Sequence, residues 1–309
     1  MPQDPLESLI RTKSTQINDP LPPVAEMVEG KKLVQWYFDL QGNDTKVDFE
    51  SLIAKDPWPI PQPGDREGYH SVEDSYRYWS SGLVDWLNVE SAISEFSIKD
   101  AAGGRPVRIL DFGCSSGRVL RHMRAFGEGE FEIWGADLGH ENIEWIKRHL
   151  PSDIQSFNNT VIPHLPIEDN FFDVVAGFSV FTSIEYLADA WLLELRRITK
   201  PKGLLYLTIA NEATWLDSVN RESSIKYFTR TNEIAGNEPM SQSSFETIFE
   251  GPFYLRRISA EETYNCYVWH KSDFIRERWS QFLKIHRIVD FAHMRHQAVV
   301  LAQPANSLK

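Results

Sequence analysis

The chain of 309 residues carries 32 Lys+Arg against 44 Asp+Glu, a formal charge of −12, and its pI is near 5.3. So acidic a chain lacks the basic stripe that phosphate neutralisation requires, which argues against a nucleic-acid partner. Two cysteines, Cys114 and Cys266, exclude a disulfide framework and a cysteine-rich zinc site. The most apolar stretch, 171–181, is broken by Asp173 and is too short for a transmembrane segment. The N-terminal MPQDPLESLIRTK has no apolar h-region, so no secretory signal is expected and a cytoplasmic location is.

Prolines at 20, 22 and 23 and again at 57, 59, 61 and 63 bracket a stretch, 24–40, whose apolar residues Met27, Leu33, Val34, Trp36, Tyr37 and Leu40 follow a helical stripe. Residues 71–96 predict a second helix that buries Tyr78, Leu83, Trp86 and Leu87, and Ala101-Ala102-Gly103-Gly104 marks a loop. A regular alternation follows. Strands are predicted at 107–111, 132–136, 154–157, 172–178 and 204–209, with helices between them at 118–126, on Ile143, Ile146 and Leu150, and on Leu187, Trp191, Leu195 and Ile198. Near-continuous apolar strands alternating with helices predict a parallel sheet covered on both faces. The regularity stops at Ala210 and resumes with a helix at 272–282 and strands at 285–289 and 298–302. An irregular stretch of that length inside a compact domain points to function.

The chemistry concentrates at the ends of the first two strands. In VRILDFGCSSGRVLRHM (107–123) a strand ends near Asp111, and Gly113 and Gly117 permit a tight turn that leads into a helix N-terminus. A dinucleotide fingerprint needs glycine at 113, 115 and 118; Ser115 and Arg118 stand at the last two, and no Walker loop is present. Asp137 closes the second strand 24 residues after Gly113, where an acidic side chain can accept ribose hydroxyls or cap a helix.

These segments, together with LPIEDNFFDVVAGFSVFTSIEY and LLELRRITKPKGLLYLTI in the same order, resemble the class I S-adenosylmethionine-dependent methyltransferases over roughly 105–210. The resemblance implies a Rossmann-like, doubly wound seven-stranded sheet, mostly parallel with the last strand antiparallel. It implies S-adenosyl-L-methionine as cofactor, with Asp111 and Gly113 framing the methionine moiety and Cys114, Ser115 and Gly117 as the backbone cradle. It further implies Asp137 on the ribose, Leu138 on the adenine, Asn159 as a polar adenine contact and Phe178 against the cofactor. Ser116 and Ser183 depart from the family's commonest pattern, and Ser183 stands where a histidine is frequent, so no catalytic base is assigned.

The expected organisation is an N-terminal helical cover over 1–100 and a methyltransferase domain over 101–305, with an inserted cap at 211–264. The acceptor is expected to be a small molecule, a sugar or a lipid-linked intermediate, with the oligomeric state open. A nicotinamide oxidoreductase and a cofactor-binding partner protein without turnover are the competing readings. Thr182, Ser183, Glu185, Asn211 and Glu212 lie at strand ends, where capping roles compete with catalysis. Tyr69 and His70 are candidates to cover the cofactor. The pair His293 and His296 lacks a third metal ligand, so no metal is expected. Arg118, Arg121 and Arg124 read as a solvated helix face, and the aromatics of 215–254 as a lid, with a subunit interface as its rival.

Overall fold

A computed structural model describes residues 19–305 apart from 39, 41–44, 128, 185, 235 and 259–265. Helix α1 (Ser75–Glu95) precedes the alternating unit: β1 (Val107–Phe112), α2 (Leu120–Phe126), β2 (Phe131–Asp137), α3 (His140–His149), β3 (Gln155–Asn158), β4 (Phe172–Gly177), α4 (Ala188–Ile198) and β5 (Thr199–Asn211). After β5 come α5 (Glu212–Asp217), α6 (Glu222–Thr229), β6 (Phe253–Arg257) and β7 (Cys266–His270). Helix α7 (Ser272–Arg278), β8 (Leu283–His293) and β9 (Gln297–Pro304) follow.

The expected seven-stranded sheet is present in the order β3-β2-β1-β4-β5-β9-β8. Its first five strands are parallel and β9 runs antiparallel to both β5 and β8. Two further strands join it. Beyond the end of β4, β7 continues the sheet by pairing with β5 at Trp269–Ala210 and His270–Asn211, and β6 pairs antiparallel with β7. The sheet buries both faces because its strands alternate between two cores. Val107 and Ile109 face the helices α1, α2 and α3, whereas Leu110 and Phe112 face α4 and α7. No helix among the described residues is long and apolar enough to cross a membrane.

The stretch 24–40 does not form the long helix its stripe predicts. A helix spans only Val24–Val28, and Gly30 follows with φ 71°. Of that stripe, Leu40 is buried and Met27, Leu33 and Trp36 pack half-buried against the core that includes α1, while Val34 and Tyr37 stay exposed. A second short helix, Phe49–Ile53, sinks Phe49 between Tyr76 and Trp79 with edge-on ring contacts at 6.0 and 6.1 Å. Fully burying one such side chain contributes about 1.5–3 kcal/mol.

Helix α1 reaches the segment between β1 and α2 because of Gly82. A Cβ there would lie 2.3 Å from the carbonyl oxygen of Arg118 and 2.9 Å from the His122 ring, so only glycine allows this approach.

The arginines after the turn are not a solvated face. Arg121 is wholly buried and holds both Asp56 oxygens (2.6 and 2.9 Å) together with the carbonyls of Trp58 and Pro59. Arg118 pairs with Asp85 at 2.7 Å and donates to Ser81. Only Arg124 lies near the surface, paired with Asp153. Helical spacing places three arginines on one face, and the N-terminal segment and α1 then cover two of them.

Candidate cofactor and acceptor site

The turn after β1 is tied to the end of β2. The amides of Gly113 and Cys114 both donate to the Ala136 carbonyl, at 2.8 and 3.1 Å. Gly113 has φ 79°, and an added Cβ would lie 2.4 Å from Val180 Cγ2, so its conformation and its surroundings both require glycine. Ser115 takes φ 48° and donates its amide to Asp137 Oδ2 at 2.7 Å. Gly117 closes the turn onto the Cys114 carbonyl and packs beside Leu150 and Ile146 of the α3 segment. The Cys114 thiol is buried; desolvation, with Asp137 and Asp111 nearby, pushes its pKa well up, so it is an inert neutral group.

Asp137 is already engaged. Besides Ser115 it accepts from the Gly139 amide (2.8 Å) and from Asn142 Nδ2 (3.0 Å), clasping the turns after β1 and β2 together. Both oxygens of the carboxylate to which the resemblance gives the ribose are therefore already engaged within the protein. Leu138, next in the chain, is about half exposed at 48 %. Asn159 follows β3, with its amide on the Asp137 carbonyl. Phe178 follows β4 and is packed against Tyr206 and His293, with the Arg118 guanidinium 5.9 Å from its ring.

Three buried polar atoms along this edge have no hydrogen-bond partner: Asp111 Oδ1, Ser115 Oγ and Asn159 Oδ1. They stand at the ends of β1, its turn and β3. Burial pushes the Asp111 carboxyl up to about 7; Arg118 opposes the shift, and Asp137 and Asp85 add to it. A cation at Asp111 would relieve that penalty.

The candidate bases at the strand ends have structural work. Thr182 is buried and donates to the Ser179 carbonyl, and its own carbonyl accepts from Val268 of β7. The Ser183 carbonyl lies against the Cys266 thiol. Asn211 caps α5 through Thr214 and donates to Asp290 and Ser272, while Glu212 accepts from the Ser272 amide and hydroxyl. Glu185 lies outside the described residues. Tyr69 is buried, hydrogen-bonded to Ser81 at 2.6 Å and to Met294, whereas His70 is exposed. Among the described residues no three His, Cys, Asp or Glu side chains are grouped to hold a metal.

His293 pairs instead with Asp85 of α1, 208 residues away in sequence (Nδ1 to Oδ1, 2.8 Å). Sequence spacing to His296 gave no hint of this partner. The one available signal was an aspartate inside the apolar pattern of α1.

The cap aromatics mostly bury one another. Trp215 meets Phe245, Phe249, Tyr254 and Trp269 at ring separations of 4.8–5.2 Å, and Phe228 packs on Tyr267 and Trp269. Their abundance thus builds a separate small core, and Phe253 is the exposed member. Arg221, between α5 and α6, donates to the Arg295 carbonyl at the tip of the β8–β9 hairpin.

Residues 110–207 match the family described as a methyltransferase domain, a span running from β1 into β5. An uncharacterised protein of Methanocaldococcus jannaschii is 26% identical over 147 residues, which cover 48% of this chain and 58% of that protein, little more than half its length. Among solved structures, a Pyrococcus horikoshii protein has 16% identity and a TM-score of 0.45 over 71% of this chain and 92% of its own. A SAM-dependent methyltransferase from Aquifex aeolicus has 15% identity and a TM-score of 0.41 over 70% and 89%.

Proposed function

We propose that the chain binds S-adenosyl-L-methionine at the ends of β1, β2 and β3 and transfers its methyl group to a small-molecule, sugar or lipid-linked acceptor beneath the cap. The observation that carries this reading is the run of unpartnered buried atoms. Asp111 is suited to the methionine ammonium, Asn159 to the adenine amine and the Ser115–Gly117 turn to the carboxylate. The bound group supplies an electrophilic methyl on a sulfonium. The chain's own residues position it, exclude water and manage the acceptor's proton.

The same carboxyls weigh against a nicotinamide oxidoreductase. Asp111 and Asp137 flank the turn where a pyrophosphate would lie, and Arg118, the nearby cation, is committed to Asp85. Calorimetry with S-adenosylmethionine and with NAD separates the two, and tighter binding of NAD would reverse the assignment. Asp137→Ala removes the clasp and the ribose acceptor together. We expect affinity for S-adenosylmethionine to fall at least tenfold, about 1.4 kcal/mol. A folded variant that binds normally would take the ribose away from Asp137.

The acceptor end is expected under the cap, over 1–100 and 211–264 as the covering segments. Tyr227 of α6 and Glu67 of the N-terminal segment lie within electrostatic reach of each other, which supports a cover shared by the two segments. That enclosure suits a small acceptor better than a macromolecule. Replacing 215–250 with a short Gly/Ser linker should leave cofactor affinity near normal and abolish methyl transfer to any phenol, amine or thiol the intact chain accepts. The mass by light scattering should not change. A dimer that falls to monomer with transfer intact would make the cap a subunit interface.

A further inference from the structure

We propose that Asp85, His293 and Ser179 form a proton relay that removes the acceptor's proton during methyl transfer. The inference rests on the proposed methyltransferase reading and deepens it. Its geometry begins at Asp85, buried in α1, whose carboxylate is fixed on both oxygens: Arg118 at 2.7 Å and His293 Nδ1 at 2.8 Å. With Nδ1–H donating to Asp85, Nε2 of His293 is left as an acceptor. It faces Ser179 Oγ at 3.4 Å, a separation that shortens readily when a substrate orders the site.

The neighbouring hydrogen bonds give the relay a direction. Thr208 donates its hydroxyl to Gln297 Oε1 (2.8 Å), which leaves Gln297 Nε2 to donate to Ser179 Oγ at 3.0 Å. Ser179's own proton then has two acceptors in reach, His293 Nε2 at 3.4 Å and Gln297 Oε1 at 3.3 Å, and the relay uses the first, since Oε1 already accepts from Thr208. The Ser179 amide is anchored on Thr208 Oγ1 at 2.7 Å.

The two ends of the relay differ in exposure. His293 is wholly buried and beyond the reach of an acceptor, whereas Ser179, two residues after β4, is exposed beside Phe178. Backbone strain gathers at the same place. Ser179 has φ 60°, and the β8–β9 tip holds Phe291, Met294 and Arg295 at φ 60°, 48° and 57°, all non-glycine residues. Strain of this kind persists where surrounding contacts over-determine a functional geometry. The charged and titratable groups around His293 are Asp85 and Arg118, His296 at a ring separation of 5.9 Å, and, through Asp85, Tyr69, Asp111 of β1 and Tyr206 of β5.

In the step, the acceptor heteroatom bonds to the methyl carbon and the carbon–sulfur electron pair leaves with sulfur. The acceptor's proton passes to Ser179 Oγ as Ser179 gives its own to His293 Nε2, and Asp85 balances the imidazolium. The relay thus selects acceptors that keep a proton near neutrality, such as hydroxyls and ammonium groups. Ser179 is the group that touches the acceptor; His293 and Asp85 act through it.

The test uses the full chain and two readouts. Imidazole 15N spectra should show His293 as the Nδ1–H tautomer, and Ser179→Ala should move the Nε2 resonance. An Nε2–H tautomer, or spectra indifferent to Ser179→Ala, would overturn the relay even if no acceptor were found. The second readout is transfer to a phenol and to the matching thiophenol, which is already ionised near neutrality. His293→Gln should slow the phenol by at least about a hundredfold and remove the rise of rate with pH, while leaving the thiophenol within a few-fold. Equal losses on both probes would reduce His293 to a structural role. Calorimetric binding of S-adenosylmethionine to the unmodified chain, measured alongside, reports on the underlying reading separately.

Discussion

Asp56→Ala will destabilise the chain by about 3–5 kcal/mol, the usual consequence of removing one partner from a buried ion pair. The variant leaves the Arg121 guanidinium without a carboxylate, held by the Trp58 and Pro59 carbonyls beside Tyr78, and it also strips the Trp79 indole of its acceptor at 2.8 Å. Burial alone would raise the Asp56 pKa, but the charge and hydrogen bonds of Arg121 outweigh it and hold the carboxyl below 3.8. The stabilisation is therefore complete above that pH and is lost in acid as the pH falls through the lowered value. Exchanging both partners, as Asp56→Leu with Arg121→Met, should recover most of the loss, because no buried charge is then left unpaired. Urea unfolding of the three chains checks this. A single variant within about 1 kcal/mol of the parent would mean that the segment around Asp56 opens away from α2 at little cost.

The expectation of a polar helix face at Arg118 and Arg121 shows where sequence reading fails. Periodicity reports which residues share a face, and it is silent on what a segment 65 residues away will lay across it. Strands β1, β2, β4 and β5 were legible because each is a short, nearly continuous apolar run between turn residues, a pattern set within a few residues. The turn at Gly113, Ser115 and Gly117 was legible for the same reason, since its positive φ angles come from local chemistry. His293 was visible only as one of a pair of histidines, because its partner Asp85 is fixed by the packing of α1 on the β8–β9 hairpin. The cap aromatics looked like a lid surface because composition cannot distinguish rings that line a crevice from rings that bury one another. The helix drawn over 24–40 fails for a related reason: Met27, Leu33, Trp36 and Leu40 reach the core that includes α1 without a continuous helix, and Val34 and Tyr37 stay exposed.

Asp111→Asn should do two opposite things, and together they test whether this carboxyl was built for a cation. In the absence of cofactor, the rise of its pKa from 3.8 to about 7 means that the folded chain holds this proton more tightly than the unfolded chain. Stability then falls as pH rises from about 4 to 7 and levels off above, by about 4 kcal/mol at most. Asparagine has no charge to bury, so the variant should lack this slope and be the more stable chain at pH 8. Cofactor binding should move the other way. The ammonium of S-adenosylmethionine would lose a charge-assisted hydrogen bond of about 1.5–3 kcal/mol, a roughly tenfold to hundredfold loss of affinity. Because binding a cation favours the ionised carboxyl, the parent chain should also release a proton on binding below pH 7 and bind more weakly as the pH falls. The variant should show neither effect. Calorimetry in two buffers of different ionisation enthalpy, at pH 6 and pH 8, measures affinity and proton release together. A variant that is more stable at pH 8 yet binds the cofactor as well as its parent would leave Asp111 a buried acid with no ligand to answer. The ammonium would then have to be held by another group.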